Sequence, residues 1–157
     1  MTCCGSIPKI MNFSKAQIFV TGGAGFIGSA FVSLALKELS ECSVINFDTL
    51  TYAGNFNNVR DLDTRRHNFV RGDIRDQGAV LEALHHETDL VVNFAAESHV
   101  DRSITSATEF IATNVLGTQV LLNCPRFTHL IRSGIPVRTD SCRARAFARI
   151  IDTTRYL

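Results

Sequence analysis

The segment that most restricts this chain is Thr21-Gly22-Gly23-Ala24-Gly25-Phe26-Ile27-Gly28. Before it, Gln17 to Thr21 is a short apolar run with β character. After it, from Phe26 to Leu39, the residues Ile27, Ala30, Phe31, Leu34 and Ala35 recur at helical spacing. Gly22, Gly25 and Gly28 therefore stand three apart in a strand-to-helix turn. One glycine permits the tight turn, a second lets a pyrophosphate approach the backbone, and a third lets the helix pack closely on the strand. Free N–H groups and the positive end of the helix dipole complete an anion site. The position of the loop inside a βαβ unit separates it from an isolated glycine motif.

The remaining pattern predicts strands at Ser43–Asp48, His67–Arg71 and Asp89–Phe94, with a loop over Thr51–Asn58. Helices are predicted at Gln77–His86 and Ser106–Asn123. The fourth strand is apolar enough to be buried on both faces. Strands alternating with helices specify an α/β fold with a Rossmann-like, doubly wound parallel sheet of about four strands, expected in the order 3-2-1-4. His85 and His86 close the predicted second helix, where they oppose its dipole.

Asp48 ends the second strand, 20 residues after Gly28. A carboxylate there accepts hydrogen bonds from the adenosine ribose and repels a 2′-phosphate, so the cofactor is expected to be NAD rather than NADP. Asp73, after the third strand, either meets the adenine amino group or is a plain turn residue. Its position alone does not decide between them.

Composition bounds the function classes. With 45% hydrophobic and 20% charged residues the chain is neither disordered nor a disulfide miniprotein. No run of about 18 apolar residues predicts a membrane span, and the first 15 residues lack a secretory h-region. Cys3, Cys4, Cys42, Cys124 and Cys142 have no metal-ligand spacing, which suggests free thiols in a reducing, cytoplasmic setting and no metal site. The net charge of +1 hides a division. Through Asn123 there are 9 basic and 13 acidic residues, net −4. The last 34 residues carry 7 Arg, no Lys and 2 Asp, net +5.

Further segments carry a resemblance. The glycine loop resembles the start of the extended short-chain dehydrogenase/reductases. Phe47-Asp48-Thr49-Leu50-Thr51-Tyr52-Ala53-Gly54, Gly72-Asp73-Ile74 and Phe94-Ala95-Ala96-Glu97-Ser98-His99-Val100-Asp101-Arg102-Ser103-Ile104 resemble the dTDP-glucose 4,6-dehydratase family. Thr49 stands where that family has lysine, and Phe94 where it has leucine. The likeness spans residues 16 to about 123.

The resemblance implies a site. Gly22, Gly25, Phe26, Ile27 and Gly28 would lie along the pyrophosphate. Asp48, Thr49, Leu50 and Thr51 would surround the adenosine ribose, and Asp73 and Ile74 would hold the adenine. Phe94, Ala95, Ala96, Ser98 and Thr113 would line the nicotinamide side. Ser98 and Arg102 would face the sugar nucleotide, dTDP-glucose. His99 has no triad partner and is read as structural. The resemblance also allows a homodimer. Neither membrane nor nucleic acid is an expected partner.

The family's acid/base equipment follows a fifth strand, as Thr-Asp-Glu and then Tyr-x-x-x-Lys. Here Thr139-Asp140-Ser141 lacks the carboxylate, Tyr156 has no lysine behind it, and the lysines are Lys9, Lys15 and Lys37. No catalytic residue is therefore assigned, no substrate lobe is expected, and the chain alone is expected to be inactive. The organisation read from the sequence is an extension at 1–15, an NAD-binding unit at 16–123 and an Arg-rich segment at 124–157. Reading-frame or splice alteration is the favoured account of that segment, and a basic appendage that binds nucleic acid the competing one. Another nucleotide-sugar epimerase or decarboxylase of the same superfamily, or a non-catalytic dinucleotide-binding module, is the alternative function.

Overall fold

A computed structural model describes residues 15–85, 87–98 and 107–124. Four parallel strands form one sheet: β1 (Gln17–Thr21), β2 (Ser43–Asp48), β3 (His67–Arg71) and β4 (Leu90–Asn93), in the order β3-β2-β1-β4. Ile18 pairs with Val44 on one side and Leu90 on the other, and Val44 pairs with His67. This is the expected order. The chain winds outward from β1 to β3, then crosses back to place β4 on the opposite side of β1.

The period-2 alternation of the central strands feeds two cores. Ile18, Val20, Val44 and Val92 face helix α1 (Phe26–Glu38), where they meet Val32, Ala35 and Leu36. Phe19, Ile45, Phe47 and Val91 face the other side, against Val80, Ala83 and Leu84 at helix α2 (Gln77–Ala83), with Ile74 and Leu121. Phe19 and Phe47 are fully buried, their ring centroids 5.6 Å apart, which adds an aromatic contact to the burial itself. A strand apolar on both faces can be stable only between two helical layers, and β1, β2 and β4 all have that pattern.

Local signals explain most element ends. The Asp76 side chain caps α2 by accepting from the N–H groups of Gly78 and Ala79. Arg66 closes α1 from a distance, its guanidinium donating to the carbonyls of Leu36, Leu39 and Ser40 at 2.9–3.2 Å. These carbonyls lie at and just beyond the negative end of the helix, where a cation is favoured.

The first helix ends one residue early, at Glu38, and the other two differ more from expectation. The second stops at Ala83, not His86. Leu84 turns to an extended conformation that buries its side chain in the core, so His85 lies beyond the helix and His86 outside the described residues. The predicted 106–123 helix has three parts: α3 (Ala107–Phe110), a π-helical segment (Ile111–Gly117) and α4 (Thr118–Asn123). Two contacts accompany the wider turn. Asn114 exchanges hydrogen bonds with the backbone N–H and carbonyl of Glu97, and Gly117 sits where a methyl group would lie 2.5 Å from Ile74. β1, β2 and β3 match the predicted strands, and β4 is one residue shorter at each end. Among the described residues, no helix is long and apolar enough to cross a membrane.

One buried polar pair gives the sheet a pH dependence. His67 begins β3, is buried, and places Nε2 3.3 Å from Asn46 Nδ2. Burial pushes the imidazole pKa down from its ordinary value near 6.5. The unfolded chain therefore takes up this proton at higher pH than the folded chain does. His67 contributes stability above about pH 6.5 and loses it as the pH falls below that value, by at most about 1.4 kcal/mol per pH unit. Denaturant titrations at pH 7.5 and 5.5 are expected to show a larger loss for the wild type than for His67→Gln. Equal losses would contradict this assignment.

Candidate functional site

A cleft of about 200 Å³ opens at the carboxyl edge of the sheet, where the winding reverses between β1 and β4. Its floor is the glycine loop. Gly22 adopts φ 67°, and a side chain there would meet the backbone N–H of Ala95 at 2.5 Å. Its own N–H donates to the Phe47 carbonyl at 2.9 Å, which ties the loop to β2. At Gly28 a methyl group would lie 2.2 Å from the Gly22 carbonyl oxygen, so the first turn of α1 can sit on the loop only without a side chain. Gly25 is the N-cap of α1 and no side chain caps this end. The first-turn N–H groups, those of Phe26 and Ile27 among them, have no acceptor within the helix. The side chains of Phe26 and Ile27 are exposed, and neither residue lines the cleft.

Asp48 is the central side chain. It is 7% exposed, and its carboxylate accepts from Ala24 N–H at 2.9 Å through Oδ2 and from Leu50 N–H at 2.8 Å through Oδ1. The first bond fastens the glycine loop to the end of β2. The second holds Leu50 at φ 57°, a turn that β-branched side chains resist most and that leucine adopts at a cost. The chain then folds back over the carboxylate: a side chain at Gly54 would approach Asp48 Oδ1 to 2.9 Å. Asn55 N–H and Asn58 Nδ2 both donate to the Ala24 carbonyl at 3.0 Å, which completes the enclosure.

The opposite wall follows β4. Thr21 Oγ1 donates to Asn93 Oδ1 and accepts from Ala95 N–H at 3.4 Å. Thr118 Oγ1 donates to the Asn114 carbonyl at 2.7 Å, and the Asn114 amide holds the backbone of Glu97. These bonds place the small residues Ala95 and Ala96, with Phe94, against the cleft opposite Thr113 of the π segment. Tyr52 on one rim donates to Glu97 Oε2 on the other at 3.0 Å.

At the β3 end, Asp73 and Ile74 line the cleft beside Arg75. Burial pushes the Asp73 carboxyl upward in pKa, but hydrogen bonds from the Arg75 side chain and backbone, with its charge, outweigh this and leave it below the ordinary carboxylate value. Asp73 is thus an ionised acceptor.

Of the residues singled out from the sequence, Gly22, Gly25, Asp48, Thr49, Thr51, Asp73, Ile74, Phe94, Ala95, Ala96 and Thr113 line the cleft. Gly28 lies beneath it as a packing residue, and Leu50 shapes the turn without lining it. Ser98 is exposed and does not line it. Arg102 and His99 lie outside the described residues. Sequence reading missed Arg75, Glu97 and Glu109. Arg75 stands two positions from Asp73 and was findable as a neighbour. Glu109 reaches the cleft from another element and left no local signal. Gly72 was read only as a motif letter; a side chain there would strike the Phe47 ring at 2.3 Å. Among the described residues no cluster could hold a metal ion, and Cys42 and Cys124 are buried.

Comparison with known proteins agrees with this fold. The profile of the GDP-mannose 4,6 dehydratase family matches residues 19–138, continuing past Asn123. The low-salt glycan biosynthesis protein Agl12 of Haloferax volcanii is 55% identical over 108 residues, 68% of this chain and 34% of its own length. A dTDP-glucose 4,6-dehydratase of Streptomyces niveus is 48% identical over 125 residues, 73% of this chain and 37% of its own. Among solved structures, the dTDP-glucose 4,6-dehydratase DesIV of Streptomyces venezuelae, determined with NAD bound, superposes with a TM-score of 0.63 at 52% identity. It covers 69% of this chain and 35% of that one. The chain thus spans about a third of the length of the curated relatives it matches. The relatives bear out the resemblance read from the segments at Phe47–Gly54 and Phe94–Ile104, and with the family profile matching most of its length, the chain belongs to the GDP-mannose 4,6 dehydratase family.

Proposed function

We propose that this chain is the NAD-binding portion of a dTDP-glucose 4,6-dehydratase. The observation that carries the reading is the Asp48 carboxylate, enclosed at the end of β2 in a cleft whose neighbouring wall is the uncapped start of α1. A dinucleotide needs both: an anion site for its pyrophosphate and an acceptor for its ribose hydroxyls. The fit to the residues present is direct. Backbone fills the space beside Gly22 and Gly28, which are packing positions, whereas the space beside Gly25, which lines the cleft, holds nothing nearer than the Gly22 carbonyl at 3.3 Å and leaves room for a pyrophosphate.

The assignments follow the cleft from one end to the other. Asp73 and Ile74 receive the adenine. Asp48, with Thr49, Leu50 and Thr51, surrounds the ribose, and each Asp48 oxygen has a further lone pair beyond its backbone bond. The N–H groups of Phe26 and Ile27 meet the pyrophosphate. Phe94, Ala95, Ala96 and Thr113 receive the nicotinamide, where small side chains let the ring lie close to the backbone. Ser98 and Arg102 are assigned to the sugar nucleotide on the family resemblance alone. The bound nicotinamide supplies a hydride acceptor and donor. The chain's own part is to hold it at the β4 edge beside the sugar. The dinucleotide-binding unit occupies residues 16–123, and the chain acts in the cytoplasm. That relatives of this chain are dTDP-glucose 4,6-dehydratases supports the substrate assignment.

Calorimetric titration is expected to show NAD binding at least about tenfold more tightly than NADP, because a 2′-phosphate would face an enclosed carboxylate. Asp48→Asn is expected to narrow that gap and weaken NAD. Equal affinities in the wild type would overturn the reading.

The two loop glycines respond differently to a methyl group. Gly28→Ala would push against the Gly22 carbonyl at 2.2 Å, a backbone atom with nowhere to go, and should cost about 1–3 kcal/mol. Gly25→Ala meets the same oxygen at 3.3 Å and should cost less than about 1 kcal/mol. Equal losses of unfolding free energy in the two variants would refute this packing account.

A further inference from the structure

We infer that Arg75 is a positioning residue that aims the Asp73 carboxylate into the cleft and so makes the site select adenine over bases lacking a donor at the same position. The inference rests on the dinucleotide reading above. Asp73 Oδ1 accepts from the Arg75 backbone N–H at 2.9 Å and from Nε at 3.1 Å. Oδ2 accepts from Nε at 2.9 Å and from Nη2 at 2.6 Å. The remaining arm of the guanidinium, Nη1, donates to Glu109 Oε2 at 3.2 Å, so the fork is held from α3 as well. Asp73, Arg75 and Glu109 all line the cleft.

The lone-pair count has a consequence. An ionised carboxylate offers about four acceptor positions. Three N–H groups of Arg75 make four contacts with it, two on each oxygen, the single Nε hydrogen being divided between them. The divided bond is the weakest held of the four and leaves acceptor capacity on a side chain that is 31% exposed and borders the cleft. A carboxylate held in this way only accepts. It suits an exocyclic amino group and repels a carbonyl oxygen at the same place. The planar fork matters because it fixes both oxygens at once, which an ammonium cannot do.

The test uses the full chain with NAD and with nicotinamide hypoxanthine dinucleotide, in which a carbonyl replaces the adenine amino group. Affinities are measured by calorimetry for the wild type, Arg75→Gln and Arg75→Lys. The wild type is expected to prefer NAD by about tenfold or more, the scale of one hydrogen bond to a charged acceptor. Arg75→Gln is expected to cut that preference at least about threefold while changing the affinity for the hypoxanthine analogue by less than about twofold. Arg75→Lys is expected to fall between, and it puts the same question should Arg75→Gln fail to fold. Parallel weakening of both ligands, or an unchanged preference, would overturn the inference and leave the dinucleotide reading standing. A wild type that binds neither ligand would overturn both.

Discussion

The structure depends most on the two hydrogen bonds that the Asp48 carboxylate accepts from the backbone. One fixes Ala24 in the glycine loop, and the other fixes Leu50 in the turn after β2. Charge-assisted bonds of this kind are worth about 1.5–3 kcal/mol each and leave little freedom in what they join. Because the carboxylate is enclosed, losing either donor would strand a buried charge. The loop, the turn and the end of β2 therefore form one rigid unit at the carboxyl edge of the sheet. The cleft exists because that unit stands beside β4, which Thr21 and Asn93 hold in turn.

The two-sided burial of β1, β2 and β4 is the second constraint. Apolar residues alternate between α1 and the α2–α4 layer, which positions the strand ends to within the stagger of a parallel ladder. Glycines take over where side chains have no room. A methyl group at Gly28, Gly72 or Gly117 would collide with the loop carbonyl, the Phe47 ring or Ile74 respectively. Packing and binding share residues here: Phe47 is a core aromatic whose neighbours form the cleft wall.

Much of this was legible before any coordinates. The strand limits at Gln17–Thr21, Ser43–Asp48 and His67–Arg71 follow from short β-rich runs bounded by glycine or aspartate. The sheet order follows from the doubly wound pattern that the glycine loop marks. Asp48 was legible because its distance from Gly28 is set by the length of α1 plus one strand. What was hidden has physical reasons. The π segment at Ile111–Gly117 has ordinary helical composition, and its contacts to Glu97 and Ile74 come from elsewhere in the chain. The early end of α2 at Ala83 reflects Leu84 turning into the core, which apolar periodicity reads as one more helical position. Glu109 joins the site through Arg75 across 34 residues of sequence, a contact only folding creates. Asp48 was expected to act on a ligand, and its equal duty to the backbone was not visible.

The central claim is that the cleft at the carboxyl edge, organised by Asp48, receives a dinucleotide along its whole length. Amide resonances of isotope-labelled full-length chain, followed by NMR as NAD is added, test this most directly. The account predicts that the resonances of Gly22–Gly28, Asp48–Thr51, Asp73–Arg75 and Ala95–Glu97 shift together with a single binding constant. Those of Arg60–Arg66, on the opposite side of the sheet edge, should stay in place. Shifts confined to residues outside the cleft, or no shift at saturating NAD, would contradict it.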